Sequence, residues 1–281
     1  MQTLQLKRET CAWWMANSPT LALGEPGIET DTGNMKMGDG ATTWNALAYD
    51  TVTFTEESIL AGGGTTVNAH GCSATTVGTV SHPAIASTSV KTRRRRFTNT
   101  SAATAGAFAE ARFTNLNCWG GNAAGVGGYR FEAQFGLDTL QSGMRVAIGM
   151  ETAAAAATNV DPTTSTTNGK IQLAINANTG NWNLINNVAG TAPTVLGLGA
   201  NYPVDTTTWI GVVFIVAPNS NTVYYRISNL TTSVLTTGTL TTNIPTAATY
   251  LAPKMWGTNN ATAAAMAWSC GFMRLTPLGS P

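Results

Sequence analysis

Charged residues are scarce in this 281-residue chain, where Asp, Glu, Lys and Arg together make up 10%, against about 25% in typical soluble domains. Hydrophobic residues reach 43%, and the formal net charge is +1. This composition excludes disorder driven by excess charge, because enough apolar surface is present to build a large core. A nearly neutral chain has no long-range attraction for nucleic acid or anionic membranes. We therefore expect no nucleic-acid partner and no membrane insertion.

Cysteine and histidine are also rare, which argues against a metal site. The four cysteines are far apart in the sequence: Cys11, Cys72, Cys118 and Cys270. They form no Cys-x-x-Cys pair, and neither His70 nor His82 lies near them at zinc spacing. Four buried free thiols are favoured over two disulfides. No metal and no other cofactor is expected.

Long hydrophobic runs are missing, since no stretch approaches the ~18 apolar residues that span a bilayer. The first residues, MQTLQLKRETCAWW, lack the basic and then apolar segments of a secretory signal. We therefore expect a soluble protein made in the cytoplasm without a classical export signal.

Short strand patterns separated by turn residues fill the chain from about residue 91 onward. Apolar and polar residues alternate in Tyr129–Phe135, Ile171–Ile175 and Thr222–Ile227, whereas Trp209–Val216 is continuously apolar. Alternation predicts a strand with one buried face, and a continuous apolar run predicts a central strand. About a dozen such strands without a convincing long helix predict an all-β fold, with an antiparallel β-sandwich of the jelly-roll type.

Three zones follow from these patterns. Residues 1–50 hold three of the eight tryptophans and predict a small module with a short helix over Glu9–Asn17 and a hairpin over 28–37. Residues 51–90 are rich in Thr, Ser and Gly and predict a connector or shoulder that is partly strand. Residues 91–281 form the sandwich.

Two acidic motifs in the first zone resemble sites of chemistry. An aspartic protease needs two carboxylates that share a proton, and Asp31-Thr32-Gly33 occurs once. The second motif, Gly38-Asp39-Gly40, resembles part of a calcium loop. Such a loop needs ligands at alternate positions, but counted from Asp31 two of these positions are occupied by Gly33 and Met35. Both motifs are better explained as tight turns, in which Asp caps its own backbone and Gly accepts positive φ. These turns would let Ile28, Met35, Met37, Trp44 and Leu47 pack together.

The run Arg93-Arg94-Arg95-Arg96 is the densest charge in the chain. It fits nucleic acid, an anionic glycan or an acidic partner. Because no aromatic residue interleaves with the four arginines, we favour a strand start whose arginines face solvent or pair with Glu in a subunit interface.

Carboxylates in the β-rich region allow a test for glycan cleavage, which needs a pair roughly 5–9 Å apart. The candidates are Glu110, Glu132, Asp138, Glu151, Asp161 and Asp205. Their small number and the absence of a solenoid repeat argue against a depolymerase. A Ser-His-Asp triad stays open in principle, because its members need not be adjacent, but no nucleophile motif favours it. We expect no enzymatic activity and no catalytic residue.

Tryptophans on loops are candidates for stacking against sugars. Trp119 lies in the Gly-rich stretch Cys118–Asn122, and Trp119 with Asn122 is our candidate glycan contact. Trp182 and Trp256 also lie next to turns. For each of these tryptophans the competing interpretation is a place in the core or in a subunit interface.

An ordered set of motifs in the first 50 residues closely resembles the N-terminal module of bacteriophage tail-fibre and receptor-binding proteins of the tropism-determinant type. The motifs are Lys7-Arg8-Glu9-Thr10, Trp14, Asn17, Pro19, Leu23–Gly27, Thr30–Gly33, Lys36, Gly38-Asp39-Gly40, Trp44 and Leu47. Cys11, Trp13, Met35 and Met37 depart from the usual residues but keep the apolar character. The resemblance covers roughly residues 4–50, and residues 91–281 resemble lectin-like jelly rolls of phage fibres and capsid decorations by pattern alone.

The resemblance implies a virion protein, exposed on the phage particle and made in the host cytoplasm, that docks through this module. The docking residues it implies are Trp14, Glu25, Pro26, Gly27, Asp31, Gly33, Gly38, Asp39, Gly40 and Trp44. The expected partners are further copies of the chain in a homotrimer, other tail or capsid proteins, and host-surface glycan. The alternatives are a capsid head-fibre or cement protein without a ligand, a glycan depolymerase and a cellular lectin.

Overall fold

The computed structural model describes residues 7–31, 35–47, 57–62, 66–123 and 125–278. By its internal contacts the chain divides into two compact units, Met1–Phe54 and Thr55–Pro281. The finer division at residues 50 and 90 stays a prediction.

The first unit is a small sheet with one short helix in its described residues. Its elements are β1 (Lys7–Glu9), α1 (Cys11–Asn17), β2 (Pro26–Glu29) and β3 (Met35–Met37). β1 pairs with β2 in parallel, and β2 pairs with β3 antiparallel so that Ile28 lies opposite Met35. The hairpin strands lie where the sequence predicts them, and the turn between them (residues 32–34) falls outside the described residues.

Local signals in the sequence set both ends of α1. The Thr10 side chain caps its start, accepting a hydrogen bond from the Trp13 N–H at 3.2 Å. At its end, Ser18 adopts a left-handed conformation (φ 37°) and donates its N–H to the Trp14 carbonyl oxygen at 2.8 Å. Pro19 follows and prevents the helix from continuing.

The core of the first unit differs from the expected cluster of Ile28, Met35, Met37, Trp44 and Leu47, of which only Trp44 is fully buried. Trp14, Leu21 and Trp44 are fully buried, and the two indole rings stack with centroids 4.0 Å apart. Met37 is 42% exposed, because the three-residue strand β3 turns the side chain of Lys36 inward. Lys36 Nζ donates to the Trp44 carbonyl oxygen at 2.7 Å and lies 5.0 Å from the Trp44 ring centroid.

The second unit is built from strands, which follow one another along the chain. They are β4 (Glu57–Ala61), β5 (Val67–His70), β6 (Ala74–Val77), β7 (Thr79–Ser81), β8 (Phe97–Thr100), β9 (Phe108–Phe113), β10 (Tyr129–Thr139), β11 (Arg145–Glu151), β12 (Lys170–Ile175), β13 (Asn183–Asn187), β14 (Thr194–Gly197), β15 (Ile210–Val216), β16 (Val223–Asn229), β17 (Val234–Leu240), β18 (Ala252–Thr258) and β19 (Ala267–Pro277).

These strands form two antiparallel sheets. Within the described residues, the first sheet runs in the order β17-β16-β15-β10-β19-β4-β5, with β8 also paired to β19 and β7 to β8. The second runs β14-β13-β12-β11-β18-β9-β6. Residues 51–90, interpreted as a connector, thus contribute β4, β5 and β7 to the first sheet and β6 to the second.

A single large core lies between the two sheets and follows the alternation of the strands. In β15, the buried side chains are Ile210, Val212, Phe214 and Val216, and the residues between them are half-buried. Phe214 stacks on Phe131 of β10 at 5.9 Å between centroids. The continuous apolar run therefore predicts the central strand correctly, since its second face is also partly covered.

The long strand β19 lies in the middle of the first sheet. It pairs with β10 on one side, while its other side pairs with β8 near Cys270 and with β4 near Phe272. Two register shifts interrupt the pairing with β10, after Gln134 and after Leu137, and such irregularities bend a strand. The predicted fold class, all-β with a small hairpin-containing module and an antiparallel β-sandwich, is confirmed.

Candidate functional site

The acidic turn residues of the first unit hold its backbone. Asp39 accepts hydrogen bonds from the N–H groups of Ala41 (2.9 Å) and Thr42 (2.7 Å) and from the Thr42 hydroxyl (2.5 Å). These bonds, led by that of the hydroxyl, lower the pKa of Asp39 to about 2. An aspartate that satisfies its own turn has little capacity left for a ligand.

Asp31 and Glu25 also bind backbone N–H groups. Asp31 accepts from the N–H of Cys11, the first residue of α1, at 2.8 Å. Glu25 accepts from the Ala22 N–H at 2.8 Å and forms an ion pair with Lys7 at 3.2 Å. The Ala22 hydrogen bond is the leading cause of the lowered pKa of Glu25. Pro26 begins β2, and Gly33 lies outside the described residues.

Two of the glycines that the sequence assigns to docking are required by packing. A β-carbon at Gly27 would lie 2.5 Å from Cζ3 of Trp44, and one at Gly38 would lie 2.2 Å from the Ala22 carbonyl oxygen. Gly40 adopts a φ of 79°, which side-chain-bearing residues rarely accept. Trp14 and Trp44 form the buried stack. The structure thus brings these residues into one small unit as its scaffold, and their docking role stays a prediction.

The candidate glycan contact Trp119 forms an aromatic pair with Tyr250, and of the two only Trp119 is predicted from the sequence. Trp119 is half-buried, and its ring stacks on Tyr250 with centroids 5.2 Å apart and an angle of 8° between the planes. Tyr250 is 50% exposed. Backbone hydrogen bonds between Cys118 and Leu251 join the two segments directly beside the pair. Tyr250 was missed because only this pairing of distant segments brings it next to Trp119.

Glycines shape the loop that carries Trp119. Gly121 has a φ of 107°, and a β-carbon there would lie 1.8 Å from the Val126 carbonyl oxygen. The Gly121 N–H donates to the Ala247 carbonyl oxygen at 2.9 Å, which ties the loop to the segment before Tyr250. Asn122 follows and is exposed. The Trp119 ring is therefore carried by a tightly folded loop, with Asn122 at the adjoining surface.

The other two loop tryptophans lie in cores. Trp182 is buried and meets Phe135 edge to face at 5.0 Å in the main core. Trp256 is buried on the outer face of the second sheet, 6.3 Å from Phe108 between ring centroids. The core interpretation therefore applies to both of them.

The arginine run precedes a strand rather than beginning one, because β8 starts at Phe97. Arg93 donates to the Ser87 carbonyl oxygen, Arg94 to the Gln134 side chain and Arg95 to the Gly62 carbonyl oxygen. Arg96 is buried and donates to the carbonyl oxygens of Lys91 and Arg94. The hydrogen bonds of the run thus reach several neighbouring segments, while Arg93, Arg94 and Arg95 remain exposed.

Each of the six candidate carboxylates is engaged by protein groups. Asp161 and Asp205 cap turns, accepting from the N–H of Thr163 and of Thr207 at 2.8 Å. The other four form ion pairs, which are Glu110–Arg112, Glu132–Arg130, Asp138–Lys91 and Glu151–Lys254. Burial is the main cause that raises the pKa of Glu110. These partners leave the carboxylates occupied by structural contacts.

A charge cluster on the outer face of the second sheet was not predicted. Side chains of β9, β11, β12 and β18 place it there, namely Glu110, Arg112, Glu151, Lys170 and Lys254. The loop of residues 152–169, here called the strap, lies over this cluster and carries the alanine run 153–157. The sequence signal for this cluster is a single charged residue inside an otherwise apolar strand, such as Lys254 within residues 252–256.

The charge cluster fastens the strap to the sheet. Arg112 Nε donates to the Ala154 carbonyl oxygen and Lys254 Nζ to that of Ala155, both at 2.9 Å. In return, the Ala157 N–H donates to Glu110 Oε1 at 2.9 Å. The strap therefore has a defined path over the sheet although it has no regular secondary structure.

In the described part of the chain, no three His, Cys, Asp or Glu side chains lie close enough to hold a metal ion. No helix there has the length and apolar character needed to cross a membrane. The four cysteines, all within the described residues, form no disulfide; Cys118 and Cys270 are buried, and Cys11 and Cys72 are half-buried.

Known structures share the fold of the sandwich. A protein of unknown function from Shewanella oneidensis MR-1 is similar with a TM-score of 0.50 and 14% identity, over 80% of this chain and 87% of that one. Peanut lectin (TM-score 0.49, 9% identity, 73% and 91% covered) and Lotus tetragonolobus seed lectin (0.46, 8%, 74% and 100%) are further similar structures. At these identities the likeness concerns the fold alone.

The first unit is similar to a known protein family. No curated protein matches the sequence. The resemblance inferred from the ordered motifs is confirmed over residues 4–42, which match the family described as the major tropism determinant N-terminal domain.

Proposed function

We propose that this chain is a bacteriophage virion protein that attaches to the particle through its N-terminal unit and presents the sandwich for adhesion to the host surface. The observation that carries the proposal is the match of residues 4–42 to the major tropism determinant N-terminal domain. A tropism determinant sets host choice, so the match supports a role in contact with the host.

The construction of the N-terminal unit supports a docking role. Its matched glycines and aspartates hold a backbone around the Trp14–Trp44 stack, so the unit has its own core. Trp13 and Met15 of α1 are nevertheless 41% and 61% exposed. Large apolar side chains left outside so small a core suit contact with another virion protein.

The sandwich supports adhesion rather than catalysis. Its candidate carboxylates are held in ion pairs and turn caps, whereas the Trp119–Tyr250 pair offers aromatic surface on a shaped loop. Sugars present C–H faces that pack on aromatic rings, and an exposed amide such as Asn122 suits their hydroxyl groups. We assign host-surface glycan as the ligand of this pair. A scarcity of surface charge favours association of copies, and we assign a homotrimer.

Binding of the purified full chain to a glycan array tests the adhesion. We expect Tyr250→Ala and Trp119→Ala to weaken binding about tenfold, as the loss of one stacking contact of about 1.4 kcal/mol would do. Tyr224→Ala is the matched control, because Tyr224 is an equally exposed tyrosine (51%) on β16. Binding that survives both aromatic-pair variants would remove the assigned contact, and a blank array would remove glycan adhesion.

Particle location tests the attachment. Antibody labelling of phage particles should place the protein on the tail, and mass photometry should give a trimer. Labelling over the head together with a blank glycan array would replace the receptor-binding function with that of a capsid head fibre or cement protein. Glycan release by the purified chain would instead favour a depolymerase.

A further inference from the structure

A cavity of about 180 Å³ lies between the strap and the outer face of the second sheet. Its floor is formed by Glu151, Lys170, Gln172 and Trp256, and its roof includes the alanine run of the strap. Ala156 and Thr158 line it and are exposed, so the cavity has an opening to solvent along the strap. The cavity is separate from the Trp119–Tyr250 pair, since neither of those residues lines it.

The strap is longer than an ordinary connection. Loops beyond about 12–15 residues without secondary structure are uncommon in compact domains and are usually functional when ordered. The base of the strap is closed by the Thr152 N–H, which donates to the Gly169 carbonyl oxygen at 2.9 Å, and by the Gly169 N–H, which donates to the Thr152 hydroxyl at 3.0 Å. These two hydrogen bonds, together with the bonds of the strap to Arg112, Lys254 and Glu110, fix the shape of the cavity.

The polar groups of the floor are buried but keep hydrogen-bonding capacity. Gln172 is 1% and Lys170 4% exposed. Within the described chain, Lys170 Nζ donates to the Ser165 carbonyl oxygen at 2.8 Å, and an ammonium group has three N–H donors. Gln172 Nε2 reaches Glu151 Oε2 at 3.5 Å, and the amide oxygen of Gln172 remains as an acceptor. A ligand with several hydroxyl groups would satisfy both donors and acceptors.

The charged groups at the cavity already interact with charged partners in the protein, which disfavours an ionic ligand. The two charged residues that line it, Glu151 and Lys170, have opposite signs. Glu151 is already paired with Lys254 at 3.2 Å, and Lys170 interacts electrostatically with both Glu151 and Asp161. A net ionic ligand would disturb these pairs in a shielded site, where unpaired charge is costly. An uncharged ligand leaves them intact.

The apolar lining and the volume of the cavity restrict the chemical class and size of the ligand further. The Trp256 side chain and the methyl groups of Ala153, Ala155 and Ala156 give one flat and several small apolar surfaces. The volume is below the roughly 300–1,000 Å³ of pockets for drug-sized ligands. A single six-membered ring with hydroxyl groups at its edge and C–H groups on its faces fits this combination.

We propose that the strap cavity binds one uncharged pyranose residue, with Trp256 against the sugar ring and Gln172 and Lys170 bonded to its hydroxyl groups. This inference goes beyond the proposed function, because it gives the sandwich a second, enclosed sugar site with its own residues. The proposed sugar site does not depend on whether the protein lies on the phage tail.

Alanine-methyl NMR of the full-length protein tests the site. The probes are the methyl glycosides of glucose, galactose, mannose and N-acetylglucosamine, with glucuronate as the charged comparison. We expect at least one neutral glycoside to shift the methyl signals of Ala153, Ala155, Ala156 and Ala157 in a saturable way, with glucuronate weaker. No shift with any neutral glycoside, or stronger binding of glucuronate, would overturn the proposal.

Three variants locate the binding. Ala156→Trp and Thr158→Trp each add a large side chain at the mouth without touching the charge cluster, and both should abolish the shifts of the remaining alanine signals. Ala263→Trp, at an exposed loop alanine that does not line the cavity, should retain them. Trp119→Ala should retain them too. Shifts that persist in both mouth variants, or that are lost only in Trp119→Ala, would show that the sugar binds elsewhere.

Discussion

Lys254 Nζ lies 3.2 Å from Glu151 Oε2, and the lysine side chain is only 1% exposed. Lys254 also donates to the Ala155 carbonyl oxygen, while Glu151 accepts from Asn168 Nδ2 at 2.5 Å. One lysine thus neutralises a buried carboxylate of the sheet and fastens the strap above it.

The first prediction concerns the loss of this buried pair. Lys254→Met should lower the free energy of unfolding of the sandwich by about 3–5 kcal/mol, because Glu151 loses its ion-pair partner at a buried site. Urea unfolding followed by far-UV circular dichroism measures the loss. Hydrogen exchange at residues 152–169 should also accelerate, since the strap loses a bond at Ala155.

Arg130→Met is the control for that prediction. Arg130 pairs with Glu132 on an exposed part of β10, and its side chain is 47% exposed. Exposed pairs contribute about 0–1 kcal/mol, so this variant should unfold almost like the parent. If Lys254→Met and Arg130→Met lowered the free energy of unfolding equally, the larger effect expected for the buried pair would be contradicted.

The second prediction concerns the Trp14–Trp44 stack. Trp44→Ala should cost about 3–5 kcal/mol, as expected for truncation of a buried aromatic residue, and should open the N-terminal unit while the sandwich stays folded. Hydrogen exchange by mass spectrometry on peptides from residues 7–47 checks this locally. Trp13→Ala removes a partly exposed tryptophan beside the stack and should cost much less. Unchanged exchange in Trp44→Ala would show that the stack does not hold the unit together.

The third prediction concerns thiol reactivity. Burial raises the pKa of the Cys118 and Cys270 thiols well above the ordinary value, so neither should react with iodoacetamide at pH 8 in the native protein. Cys11 should react first. Cys72 should be slower, because partial burial raises the pKa of its thiol. Peptide mapping gives the order, and rapid native labelling of Cys270 would contradict it.

The fourth prediction concerns Asp39. The folded pKa of Asp39, about 2, is lower than the ordinary aspartate value of 3.8, so the turn is stabilised above about pH 4, and this contribution is lost as the pH falls toward 2. A carboxyl-carbon NMR titration should give a midpoint near 2. In Thr42→Val, which removes the hydroxyl donor, the midpoint should rise. A midpoint near 4 in the parent protein would show that the turn bonds do not form in solution.

Local patterns in the sequence predict much of the secondary structure. The alternation in 129–135 predicts part of β10, and the Thr10 cap with Pro19 delimits α1, because each signal acts between near neighbours. Met37 shows the limit of such signals. Hydrophobicity alone would bury it, but pairing with β2 and the inward Lys36 place it outside.

The candidate sites depend on distant segments and were harder to predict. Trp119 was found from its loop composition, whereas its partner Tyr250 comes from a segment joined to it only through the pairing of Cys118 with Leu251. The strap cavity required Lys170, Trp256 and the alanine run to meet across three elements. The alanine run lies in a loop, and nothing local in the sequence indicates what it covers.

The position of β19 in the first sheet has a consequence for synthesis. This strand, Ala267–Pro277, is inserted between β10 on one side and β4 and β8 on the other. During synthesis, β4, β8 and β10 therefore leave the ribosome before the strand that pairs with all three of them. The centre of the first sheet stays unpaired until residue 277 has emerged. Chains stopped before residue 267 would expose three unpaired strand edges at once, which makes truncated products candidates for aggregation and disposal rather than for assembly.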